Sequence, residues 1–87
     1  MNYVYVLQSQ LDKSWYIGRT NDLKRRLMEH NRGNSIYTNK KKPWKIIYFE
    51  GYIDLADAKG REEYLKSGAG RIKLKFQLQN FLNKSIN

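Results

Sequence analysis

Two runs rich in aromatic and β-branched residues stand close together near the amino terminus, YVYVLQ (Tyr3 to Gln8) and SWYIGR (Ser14 to Arg19). Both have strand composition, and the first is apolar at nearly every position, the pattern of a strand buried on both faces. Leu11 to Ser14 reads as a turn, and so short a gap favours pairing as an antiparallel hairpin. On the second strand Tyr16 and Gly18 share one face, with Trp15 and Ile17 on the other. Hairpin pairing can bring Tyr5 onto the face of Tyr16, where Gly18 leaves space beside them.

The rest of the chain is read around this hairpin. Asn21-Asp22 can cap a helix running to about Asn31, followed by a polar loop, RGNSIYTNKKK, that ends at Pro43 and is expected to be the most mobile segment. WKIIYFEGY, Trp44 to Tyr52, reads as a third strand. Asp54, with Asp57 three positions on, opens another helix in a capping-box-like arrangement, and SGAG at Ser67 to Gly70 ends it. The last segment has two readings. Ile72, Leu74, Phe76 and Leu78 alternate with polar residues as in a strand, while Leu74, Leu78, Phe81 and Leu82 fit a helical stripe. The order is thus ββαβα with one undecided element, an α+β domain with a small three-stranded, mostly antiparallel sheet.

Composition narrows the function. A chain of 87 residues is expected to form one domain, residues 1–87, close to the size at which a core becomes marginal. Seven Tyr, three Phe and two Trp supply the bulk. There is no cysteine, which excludes a disulfide framework and a Cys-based zinc site and fits the reducing cytoplasm, the expected location. MNYVYVLQSQLDK lacks a basic export signal, and no apolar run approaches the ~20 residues that span a bilayer. Seventeen Lys and Arg against eight Asp and Glu give a net charge of +9, which favours a polyanionic partner.

Two helical wheels single out polar residues on apolar faces. With Leu23 at zero and ~100° per residue, Leu27 falls near +40°, His30 near −20° and Arg26 near −60°, while Lys24, Arg25 and Arg32 point away. With Leu55 at zero, Glu62 falls near −20° beside Ala58 and Leu65, and Glu63 lies outside that face. An ionised group aimed at a core needs a partner. Either Glu62 and Arg26 form a buried ion pair, or both face a phosphate, the glutamate through a divalent cation.

Taken in order, Tyr3-Val4-Tyr5, Tyr16-Ile17-Gly18, Arg26 ten residues after Tyr16, His30 four further on, and Arg61-Glu62 before YLKSGAGR resemble the GIY-YIG nuclease superfamily. The resemblance is closest to its small single-domain members, the UvrC-like endonuclease-domain proteins, and covers nearly the whole chain. Tyr3 and Val4 replace the glycine and isoleucine of the first signature, but Tyr5, its functional residue, is present. The resemblance implies a terminal helix over Arg71 to Leu82, hence the order ββαβαα with about three helices.

It further implies a metal-dependent DNA endonuclease, structure-selective in repair or recombination, in which Tyr5, Tyr16, Arg26, His30 and Glu62 converge on one phosphate. Glu62 would hold one Mg²⁺ or Mn²⁺. Tyr5 would orient or deprotonate the attacking water, its pKa of about 10 lowered by Arg26 and the metal, and Arg26 would neutralise transition-state oxygens. Which of Tyr5, Tyr16 and His30 takes the proton is left open. DNA contacts are expected from Arg19, Lys24, Arg25, Arg32, Lys40, Lys41 and Lys42, with Arg71, Lys73 and Lys75 as weaker candidates. The competing readings are a nucleic-acid-binding module of the same fold that does not cut, and a regulatory domain using its basic face to contact an acidic protein. The sequence is compatible with a homodimer.

Overall fold

The computed structural model describes residues 1–86; Asn87, the last residue of the expected domain, lies outside the described residues. The chain runs β1 (Asn2–Ser9), β2 (Trp15–Thr20), α1 (Leu23–Asn31), α2 (Ile36–Asn39), β3 (Trp44–Tyr52), α3 (Leu55–Lys66), α4 (Gly68–Gln77) and α5 (Gln79–Ile86). The sheet has the order β2-β1-β3 and is antiparallel throughout. None of the described helices is long and apolar enough to cross a membrane.

The central place belongs to β1, which is buried on both faces over most of its length. Val4 and Val6 point to one side and join Ile17, Ala58, Leu65 and Leu74 in a core under α3 and α4. Tyr5 and Leu7 point to the other side and join Trp44, against which Tyr16, Leu23 and Leu27 pack. Each fully buried leucine contributes about 1.5–3 kcal/mol to folding, so these two thin layers hold most of what stabilises so small a chain. Register sets Tyr5 opposite Gly18 and Leu7 opposite Tyr16, placing both tyrosines on the α1 face.

Asp22 caps α1 by accepting from the Arg25 amide, and Leu23, Leu27 and His30 face the sheet as the wheel predicts. The second wheel is misaligned. Leu55 is exposed, and the buried face of α3 is centred on Ala58 and Leu65, which moves Glu62 to its edge. Asp54 caps α3 through the Ala56 amide.

Ser67 both ends α3 and caps α4, accepting from the Gly70 amide. The SGAG stretch is therefore a junction between two helices as well as the end of one. At Gly70 a Cβ would meet the Tyr64 carbonyl oxygen at 1.9 Å, so only glycine permits this turn. Arg71 to Leu82 is helical, broken at Leu78 into α4 and α5, which with α2 brings the total to five helices among the described residues where about three are expected.

The polar stretch before Pro43, expected to be a mobile loop, carries α2. A helix this short does not stand on propensity. Tertiary bonds hold it: the Trp44 indole donates to the Thr38 carbonyl at 2.9 Å, and the Thr38 side chain is fully buried.

Candidate active site

Tyr5 lies at the centre of the α1 face, 2% exposed. Its ring crosses Gly18: a methyl group there would sit 2.5 Å from the hydroxyl oxygen and 2.7 Å from the adjoining ring carbon. The absent side chain on β2 is thus the space that the phenol fills. Its hydroxyl is hydrogen-bonded to His30 Nε2 at 3.0 Å, and His30 Nδ1 is bonded to Thr38 Oγ1 at 2.8 Å. The His30 and Thr38 side chains are sealed from solvent, so this three-group chain is fully buried. Arg26, one helical turn before His30, faces the hydroxyls of Tyr5 and Tyr16 and forms an ion pair with Glu29 at 3.1 Å. The Tyr16 ring stands edge-on to His30, 4.8 Å between centroids, and contacts Tyr37 of α2 at 5.8 Å.

Burial governs the electrostatics of this cluster. It pushes the Tyr5 hydroxyl up to about 12, against the hydrogen bond from Arg26, while Tyr16 and Glu62 add to the rise. Arg26 alone therefore does not produce the expected lowering: removing a phenolate from water outweighs one adjacent cation. Burial also holds His30 down at about 4, helped by the Arg26 charge, so the imidazole is neutral at pH 7.

Glu62 approaches from the other side of the sheet. Arg19 stands opposite Val4 and shares its face, and its Nε donates to Glu62 Oε1 at 3.2 Å; Lys66 Nζ pairs with Oε2 at 3.0 Å. The Glu62–Arg26 ion pair considered from the sequence does not form. The two residues sit on helices packed against opposite faces of the sheet, and each finds a closer partner. The Glu62 charge still reaches Tyr5.

Among the described residues no cluster of three or more His, Cys, Asp or Glu could hold a metal. A single half-buried carboxylate fits a cation held mainly by water and substrate phosphate, the usual habit of Mg²⁺, and does not fit a closed protein cage.

The structure brings Tyr5, Tyr16, Arg26 and His30 together and sets Glu62 at the margin of the group. Lys24, Arg25, Arg32, Lys40 and Lys42 are exposed. Lys41 is tied to Asp12 at 3.3 Å, and Arg19 is engaged by Glu62. Sequence reasoning missed Thr38, which lies in a stretch with no periodic signal. It also missed the anchor of α3, where Arg61 Nε donates to Glu50 at 2.6 Å and Tyr52 adds a bond of 2.5 Å.

The family model of the GIY-YIG catalytic domain matches residues 1–75. This chain belongs to the GIY-YIG family. A UPF0213 protein of Clostridium perfringens is 39% identical over 99% of this chain and 88% of its own length. Another, of Syntrophus aciditrophicus, is 36% identical over 91% and 92%. The solution NMR structure of a UPF0213 protein of Bacillus halodurans superposes with a TM-score of 0.53 at 32% identity, covering 85% of this chain and 82% of that one. In this GIY-YIG domain the two signatures are physically coupled, because the tyrosine ending the first packs into the gap left by the glycine ending the second. The matched span ends within α4, so α5 lies beyond it.

Proposed function

We propose that this GIY-YIG domain is a metal-dependent DNA endonuclease that hydrolyses phosphodiester bonds, selecting branched or interrupted DNA in repair or recombination within the cytoplasm. One observation carries the reading: a fully buried tyrosine hydroxyl is shared between a neutral imidazole and a guanidinium. A packing role alone would be served by phenylalanine without the desolvation of three polar groups.

Tyr5 is protonated at neutral pH and serves as an orienting group. Its oxygen accepts from the attacking water while its own proton is donated to His30 Nε2, which fixes the orientation of the phenol. The tautomer this requires carries its hydrogen on Nδ1 and donates it to Thr38. Arg26, beside both tyrosine hydroxyls, stabilises the negative charge that gathers on the phosphorane oxygens. Tyr16 donates to a phosphate oxygen. Glu62 would hold Mg²⁺ or Mn²⁺, which supplies charge neutralisation at the phosphate and at the departing 3′-oxygen.

A second reading, a DNA-binding module of the same fold that does not cut, is favoured by one feature: both carboxylate oxygens of Glu62 are already engaged by cations. Incubation of the protein with supercoiled plasmid and with branched and nicked DNAs, in Mg²⁺, Mn²⁺ or EDTA, separates the two. The nuclease reading expects metal-dependent cutting that Glu62→Ala and Arg26→Ala each reduce by at least about a hundredfold while binding persists. Salt-sensitive binding without cutting on any substrate would establish the binding module instead.

A further inference from the structure

A groove of about 390 Å³ runs along the outer edge of β2, walled by Trp15, Tyr16 and Ile17 on the strand, Tyr37 on α2, Lys66 at the end of α3 and Arg71 on α4. It opens beside the candidate active site, with Tyr16 belonging to both. Its size falls within the range of clefts that take small ligands or their parts, about 300–1,000 Å³.

Two of its walls are left incomplete by the fold. The Arg71 Nε is buried and makes no hydrogen bond among the described residues. Leaving a charged donor in that state is costly, and an anion held by the part of the Arg71 side chain that lines the groove offsets the charge of the guanidinium. Tyr37 is 78% exposed although its ring lies tilted against Tyr16, and Ile36 before it is 95% exposed. A four-residue helix thus projects an aromatic face into the groove without burying it. Guanidinium, ammonium and an open aromatic face within one cleft match the three parts of a nucleotide: phosphate oxygens, negative charge and a flat base.

We propose that this groove is a subsite for the DNA nucleotide flanking the scissile phosphate, with its phosphate on Arg71 beside Lys66, which is shared with Glu62, and its base stacked on Tyr37. The inference rests on the reading of the chain as a DNA-cutting or DNA-binding domain. It adds that the strand passes around the β2 edge, and that the flanking base must be unpaired to offer a face to Tyr37, because duplex bases are covered by their neighbours.

The test uses binding alone, in EDTA, so that it does not depend on cleavage. Fluorescence anisotropy compares a short oligodeoxythymidine with an abasic strand of the same length, for wild type, Tyr37→Ala, Tyr37→Phe and Arg71→Gln. Stacking on Tyr37 predicts that Tyr37→Ala weakens oligodeoxythymidine binding about five- to a hundredfold and leaves the abasic strand unaffected, while Tyr37→Phe binds like wild type. Arg71→Gln weakens both strands by about tenfold or more. Equal effects of Tyr37→Ala on the two strands, or none on either, would overturn the subsite even if the protein cuts DNA. Absence of salt-sensitive binding by wild type would remove the nucleic-acid reading and the subsite with it. Tyr37 is largely exposed, so its variants report on binding rather than folding; matching melting curves check the same for Arg71→Gln.

Discussion

A methyl group at position 18 has nowhere to go, because the atoms it would strike belong to Tyr5, a ring packed on all sides. Gly18→Ala is expected to destabilise the domain by about 1–3 kcal/mol and, on the nuclease reading, to lower cleavage further by displacing the phenol from His30. Denaturant midpoints and cleavage rates measured together check this; unchanged activity would mean that the Tyr5 position is unimportant. His30 yields a second expectation. In the unfolded chain it takes up a proton near its ordinary value of 6.5, whereas folded it resists until about 4. Between these values the unfolded state binds more protons, so the contribution is complete above about pH 6.5 and is lost as pH falls towards 4. Stability titrated over that window should decline, and His30→Gln should flatten the decline. At this scale the sequence was informative wherever placement depended on a single helix: Arg26 and His30 followed from α1 alone. The partners of Glu62 did not, because they depend on the face of the sheet against which α3 packs.

Among the elements, the hairpin and β3 were legible because their patterns are continuous and their turns short. The segment after Ser67 was ambiguous because α4 has apolar residues on two sides, Leu74 inward and Ile72 and Phe76 outward, which together imitate a strand. The helix α2 was illegible. Its order derives from bonds to the Trp44 indole and the His30 ring, six and eight residues from Thr38, which no periodic pattern within Ile36–Asn39 announces. We expect Thr38→Val, nearly the same shape, to leave His30 Nδ1 without a partner, costing about 1–3 kcal/mol and lowering cleavage, while Thr38→Ser preserves both. Thermal melts and initial rates for the pair test this. Equal behaviour of the two variants would show that α2 is merely a spacer.

Over the molecule as a whole, the +9 charge is unevenly committed. Lys24, Arg25, Arg32, Lys40 and Lys42 form no ion pair among the described residues, whereas Arg19, Lys41 and Lys66 are engaged by carboxylates. If those five free cations all meet phosphates, log K for duplex binding should fall against log salt with a slope of about −4 to −5, and Lys40→Gln with Lys42→Gln should reduce it by about 2. A salt-independent affinity would exclude this surface. The two faces of the sheet also divide the molecule in another respect. Tyr5 holds up one core layer, so its loss would threaten the fold, whereas Glu62 sits at the rim of the other, where replacement leaves the packing intact. A lineage released from the need to cut DNA would therefore shed Glu62 long before Tyr5. On the proposed function, a retained signature tyrosine in a relative is evidence of a surviving fold, and the glutamate is the residue whose presence speaks for surviving chemistry.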